Sequence, residues 1–350
     1  MSAVLPGQDR AMRCSEWSRL AGLNPIGTIG SYSGLLLVEC PLPWPADVAE
    51  AGPLLGLGDL LAGTGVRLQA LVAPGAWRRR GAARHSASRV SRHDGGAPSD
   101  SVHGGARVAL WRRRDPVKFA GYELSETEVA PGASLLEAAS ALLAGGGGAG
   151  ASGSKPGGPL PAPASAGEVL VCTHGRRDVC CGKLGTGLVQ RLGRSGAVED
   201  QGRTLWQTSH TGGHRFAPNV ILLPEGTAWG YADEELVETL LCRRGSLEDL
   251  LGHYRGCAGI GSRHLQALER AVLGVVGWAM FDWPRWGEEL DGGRVRLCVE
   301  TPGGLLRCWE AEVVPARRVP APSCGTQAST ATKYDVELEV RRLRETSSHG

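Results

Sequence analysis

Two short segments of this 350-residue chain concentrate side chains that can hold a metal. The first is Val171-Cys-Thr-His-Gly-Arg-Arg-Asp-Val-Cys-Cys-Gly182, which runs off a strand into a loop. The second is Ser209-His-Thr-Gly-Gly-His-Arg-Phe-Ala217, between two predicted strands. His210 and His214 have the spacing of two ligands on one helix face, but Gly212 and Gly213 lie between them. Two glycines in one turn cost about 2 kcal/mol of helix propensity relative to Ala, so a tight loop folded around an object is the better reading. Cys172 and Cys181, with eight residues between them, can bracket such an object from both ends of one loop. Two thiols and two imidazoles in loops that meet at one end of a sheet point to a metal or cofactor site.

The same four side chains would also satisfy tetrahedral zinc. Structural zinc, however, takes cysteines about two to four residues apart, and the wider gap here suits a larger object such as an iron–sulfur cluster. A third reading is a thioredoxin-like thiol oxidoreductase using Cys180 and Cys181. Such enzymes place two residues between their cysteines, and adjacent cysteines close only a strained ring. Electron transfer through a cluster therefore leads, with a thiol oxidoreductase or a zinc-stabilised interaction module as alternatives.

At these residues the sequence resembles the sucrase/ferredoxin-like family. The resemblance rests on Cys172-Thr-His-Gly-Arg-Arg-Asp-Val-Cys-Cys181 and His210-Thr-Gly-Gly-His-Arg-Phe-Ala-Pro-Asn219. Leu222-Leu-Pro-Glu-Gly226 and Trp229-Gly-Tyr231 add to it, with weaker matches at Cys14, Gly27-Thr28, Trp44-Pro45, Tyr254-Arg-Gly256 and Ser323-Cys-Gly325. It implies a thioredoxin-like ferredoxin domain holding a [2Fe–2S] cluster, one iron on Cys172 and Cys181 and the other on His210 and His214. Cys181 is preferred to Cys180 because the family's ligand cysteine directly precedes a Gly or other small residue. Sugar cleavage is not adopted, since a glycosidase needs a positioned pair of carboxylates and none stands out. His174, Arg176 and Arg177 are candidates for supporting hydrogen bonds or a docking surface, and Asp178 for bonding its own loop backbone. Cys14 and Cys324 could meet in space, though nothing in the sequence requires it.

The elements that would position these residues read as α/β. Expected strands are 34–39, 66–72, 107–111, 168–172, 204–208, 219–224 and 229–231, with helices at 46–61, 134–143 and 183–192 and another opening at Asp233. Strand–helix–strand–strand–helix in the second half suits a thioredoxin-like layer. A hairpin is expected across Thr301-Pro-Gly-Gly304. The expected division is an α/β region over 1–144 with a flexible insert near 77–105, a Gly/Ala/Pro linker at 145–166, a [2Fe–2S] domain at 167–260, and a helix and β-hairpin extension at 261–350. No internal repeat is evident.

Composition sets the outer limits. Glycine at 52 and proline at 21 are well above ordinary usage, but 42% hydrophobic residues are enough for a core. The net charge of +2 argues against nucleic-acid binding driven by overall charge. Ten cysteines in a chain this long fall short of a disulfide scaffold, so those outside the cluster are expected to be buried small hydrophobes. No stretch reaches the roughly 18 apolar residues of a membrane helix; residues 271–281 read as a core helix. The N-terminus lacks a signal-peptide pattern, so a soluble cytoplasmic protein is expected. No flavin or nicotinamide fingerprint is evident, which leaves partner redox proteins as the source and destination of electrons.

Overall fold

The computed structural model describes residues 12–72, 105–145 and 167–346. The expected insert near 77–105 and the linker at 145–166 lie outside these residues, apart from Gly105 and Gly145. Thirteen strands form two sheets among the described residues. The N-terminal ones are β1 (Gly34–Glu39), β2 (Val66–Val72), β3 (Ala106–Arg113) and β4 (Tyr122–Val129). Next come β5 (Glu168–Cys172), β6 (Thr204–Thr208), β7 (Val220–Leu223), β8 (Thr227–Trp229) and β9 (Tyr254–Cys257). These nine form one mixed sheet in the order β4-β3-β1-β2-β6-β5-β7-β8-β9. A separate antiparallel sheet contains β10 (Arg285–Glu289), β11 (Arg294–Glu300), β12 (Leu306–Pro320) and β13 (Tyr334–Thr346) in sequential order.

The large sheet is built from the same arrangement twice. β5 runs parallel to β6 and antiparallel to β7, which pairs with β8. β1 likewise runs parallel to β2 and antiparallel to β3, which pairs with β4. The two units meet where β2 and β6 pair antiparallel, Leu71 opposite Thr208 and Val72 opposite Gln207, and β9 extends the second unit beyond β8. No internal repeat was visible in the sequence. The duplication is one of topology, which burial patterns can satisfy with unrelated side chains.

Strand β1 shows why this sheet is covered on both faces. Leu35 and Leu37 enter one hydrophobic cluster, Leu36 and Val38 another, and all four are fully buried. A strand with no solvated face reads as a continuous apolar run, as here. The expected helix over 46–61 is replaced by two short 3-10 turns, Val48–Glu50 and Gly52–Leu54, and a single helical turn at Leu57–Leu61. Gly52-Pro53 and Gly56, the latter at φ 84°, interrupt it. The expected helices at 134–143 and 183–192 correspond to Leu135–Leu143, capped by the Ser134 hydroxyl, and Thr186–Ser195. Asp233 caps Glu234–Cys242 through the Leu236 amide.

The helix expected near 271–281 lies earlier, at Arg263–Val276, and stops where Gly277 adopts φ 78°. It packs between β9 of the large sheet and the four-stranded sheet. Strands β4, β9, β10 and β13 were not anticipated; β4 carries mostly polar, exposed residues and so lacks the apolar signal of a core strand. The hairpin across 301–304 is present, but Cys298 and Cys308, expected to be buried hydrophobes, face each other in the ladder and form a disulfide.

A buried ion pair ties the two sheets through that helix. Glu269 accepts from Arg285 Nε at 2.7 Å and from the Tyr254 hydroxyl at 2.9 Å, with all three side chains essentially inaccessible to solvent. Removing one partner of such a pair leaves an uncompensated buried charge and costs about 3–5 kcal/mol. Glu269→Ala should therefore destabilise the fold by that amount in denaturant unfolding, whereas a Glu269→Leu, Arg285→Leu double variant should lose less. A Glu269→Ala cost below about 1 kcal/mol would contradict this role.

Candidate metal centre

Cys172 is the last residue of β5, and Cys181 opens a π-helical turn that leads into the helix Thr186–Ser195. The loop between them doubles back tightly: a Cβ on Gly182 would lie 2.5 Å from the Cα of Gly175. His210 follows directly after β6 and Ser209. The thiols of Cys172 and Cys181 and a ring nitrogen of His210 lie within 4.8 Å of one another. His210 Nδ1 is buried and has no hydrogen-bond partner.

The two thiols shift each other in opposite directions. The Cys181 thiol, followed by His210 and the amides of His174 and Thr211, holds Cys172 well below the ordinary thiol range although burial opposes it. The same hydrogen bond pushes Cys181 up, and burial adds to it. Of the two, Cys172 is the one whose surroundings favour the thiolate form.

His214 stands outside that three-residue group, with its ring centroid 6.5 Å from that of His210. Its Nδ1 lies 2.9 Å from Asp178 Oδ2 and 3.3 Å from Cys14 Sγ. A carboxylate only accepts, so the proton sits on Nδ1 and leaves Nε2 as the free ligand nitrogen. Pairing one imidazole nitrogen with a carboxylate is how proteins commonly orient a metal-binding histidine. Burial alone would raise Asp178, but the hydrogen bonds and charge of His214, with the Cys180 amide, bring it below the usual carboxylate range. Asp178 Oδ1 accepts that amide at 2.8 Å, the loop-bonding role expected of it.

His174 supports the centre from behind. Its Nε2 lies 2.7 Å from the Pro45 carbonyl, so it donates there, and its Nδ1 accepts the His210 amide at 3.3 Å. Arg176 and Arg177 are exposed. Arg177 helps line an open groove with Asp47, Arg67, His174 and His210.

Cys180 and Cys181 are adjacent in sequence but point into different groups. Cys180 Sγ lies 2.8 Å from Cys324 Sγ and 3.5 Å from Cys14 Sγ, while Cys14 and Cys324 are 3.3 Å apart. The hydrogen bond from Cys14 lowers Cys180 to about 5, and that same bond raises Cys14. Cys324 is pushed up to about 11, first by burial.

Two braces were not legible in the sequence. Arg67 Nη2 and Gln69 Nε2, both on β2, donate to the His210 carbonyl at 2.6 and 3.3 Å. The fully buried Arg255 donates to Thr28 Oγ1, the Thr28 carbonyl and Asn219 Oδ1, and Asn219 Nδ2 in turn donates to the Gly213 carbonyl. No local spacing marks either group, since both come from distant segments.

The family model described as sucrase/ferredoxin-like matches residues 25–256, and the chain belongs to that family. A relative from Debaryomyces hansenii, altered inheritance of mitochondria protein 32, is 43% identical over 58 residues. That match covers 16% of this chain and 20% of the relative, so the chain spans about a fifth of the curated relative it matches. No solved structure matches.

Gly213 has φ 63°, and a Cβ there would meet the Arg255 guanidinium at 2.4 Å. Gly213→Val should therefore displace the His210–His214 loop and cut metal retention at least severalfold while far-UV circular dichroism stays native. Full metal content in that variant would show that the loop does not depend on this backbone conformation.

Proposed function

We propose that this chain transfers single electrons through a [2Fe–2S] cluster held by Cys172, Cys181, His210 and His214. The observation that carries the reading is the convergence of Cys172, Cys181 and His210 within 4.8 Å, with a buried, unpartnered His210 Nδ1 and His214 held beside them by Asp178. Two thiols and two imidazoles fit this group chemically. When bound, it supplies a one-electron couple whose potential is raised by exchanging two thiolates for neutral imidazoles.

The chain's own residues do the rest. Cys172 and Cys181 would hold the group from the two ends of a closed loop, and His210 and His214 would hold it from a glycine hinge. Asp178 fixes the His214 tautomer by accepting a hydrogen bond from its Nδ1–H. The strand order β6-β5-β7-β8 supports a thioredoxin-like layer around the site. Cys180 and Cys181 fall into separate donor groups, which counts against a thiol oxidoreductase using both.

Electrons would come from, and pass to, separate redox proteins, with the groove beside His210 and Arg177 as the approach. The compartment we propose is the cytoplasm. Eight free cysteines suit a reducing environment, and the Cys298–Cys308 bridge counts against one. No helix among the described residues is long and apolar enough to cross a membrane.

Ligand identity is tested by substitution. Cys172→Ala and Cys181→Ala should each abolish iron retention and visible absorption, whereas Cys180→Ala should keep most of both. Loss in Cys180→Ala with retention in Cys181→Ala would exchange the two assignments.

Proton coupling follows from the partly exposed His214, whose side chain is 31% accessible. A bound cluster would gain negative charge on reduction, which favours a proton on a neighbouring imidazole. Over the pH range in which reduction is accompanied by proton uptake, the potential should fall by about 59 mV per pH unit. His214→Cys, where the cluster persists, should lower the potential and flatten the slope. A flat potential from mildly acid to strongly alkaline pH in cluster-loaded protein would exclude the coupling.

A further inference from the structure

The cluster reading leaves a second group of ligand-type side chains unused. Cys14 lies on the first helix, Cys14–Leu20, Cys180 on the Cys172–Cys181 loop, and Cys324 on the connection between β12 and β13. They are 166, 144 and 310 residues apart pairwise in sequence, yet their sulfurs lie 3.5, 2.8 and 3.3 Å apart. Asp178 completes the set, with Oδ1 3.6 Å from Cys324 Sγ and Oδ2 4.0 Å from Cys14 Sγ. All four donor atoms fall within 4.8 Å of one another. Cys14 and Cys180 are buried, and Cys324 is half-buried and gives access from solvent.

We infer that Cys14, Cys180, Cys324 and Asp178 form a second metal site, for a thiophilic divalent cation of the zinc class, beside the cluster site and joined to it through the contact of Asp178 with His214. Three sulfurs converging with a carboxylate outnumber what a disulfide needs, and a disulfide would join two of them and leave the third thiol stranded in the same nest. Three thiolates and one oxygen make a tetrahedral set for a d10 ion without redox chemistry of its own. With metal–sulfur bonds of about 2.3 Å, the edges of such a tetrahedron are about 3.8 Å, so the sulfurs need to spread by about 1 Å or less. Each thiol would release its proton to solvent as the ion binds. Arg215, whose charge interacts with Cys14, offsets part of the negative charge.

The site would serve as a clamp. It joins the first helix and the four-stranded sheet to the loop that carries Cys181. Binding to the folded state alone would stabilise all three together. It would also hold Asp178, and through it His214, in one position.

The test uses the full chain and counts metals separately. Protein purified with zinc available should hold one zinc per chain. Cys14→Ser and Cys324→Ser should each lose that zinc and keep their iron, while Cys172→Ala should lose iron and keep zinc. His210→Ala provides a second iron-free background should Cys172→Ala fail to fold. In either background, Co2+ added to metal-free protein should give one equivalent of thiolate-to-cobalt absorption, abolished by adding Cys324→Ser. Zinc-free wild type, a Cys180–Cys324 disulfide detected as a loss of two hydrogens, or zinc unaffected by both Cys14→Ser and Cys324→Ser would overturn the inference. Absence of iron from the wild type would bear on the cluster reading alone.

Discussion

The candidate centre depends on a seam only two residue pairs long. β2 and β6 pair at Leu71–Thr208 and Val72–Gln207, and this junction makes one sheet of a four-stranded and a five-stranded unit. Its side chains extend it. Thr208 and Ser209 both donate to Gln69 Oε1, and the Ala70 amide donates to Ser209 Oγ. Gln69 is fully buried, so each of these polar groups must find its partner inside the protein. The same strand supplies the two donors to the His210 carbonyl. A histidine on one unit is thus positioned by the other, and the N-terminal unit is part of the site rather than a neighbour of it.

The remaining supports converge on the same loop from other directions. Arg255 reaches it through Asn219, His174 holds the His210 amide, and Asp178 holds His214. A buried guanidinium whose donors all meet oxygens is rigid, because moving any partner strands a charge. Such a frame holds the thiols and imidazoles in place, and the loop that carries His210 and His214 is shaped by what surrounds it.

Much of this was legible in the sequence, and the reasons are local. Apolar runs such as Leu35–Val38 and Val169–Val171 mark doubly covered strands, and Ser134 and Asp233 mark helix starts. The convergence of Cys172, Cys181 and His210 was readable from two short motifs and their strand contexts. What escaped was non-local or overruled by neighbours. Polar β4 forms because β3 offers it an edge, and the apolar spacing over 46–61 is broken into turns by Gly52-Pro53 and Gly56. The separate placement of Cys180 and Cys181 depends on loop curvature; the meeting of Cys14 with Cys324 was open from the sequence, and the C-terminal sheet that brings it about has few sequence markers. The repeated strand order leaves no trace at all, since topology is conserved by burial and not by particular residues.

The central claim is that two imidazoles from the 210–214 loop and two thiolates from Cys172 and Cys181 share one redox-active iron pair. Pulsed electron paramagnetic resonance of the chemically reduced protein reads this directly, because nitrogen bound to the reduced iron couples to the unpaired spin. Two inequivalent strongly coupled nitrogens are predicted in the wild type, one of which disappears in His214→Cys. A paramagnetic iron signal with no coupled nitrogen, or reduced protein with no such signal, would contradict the account.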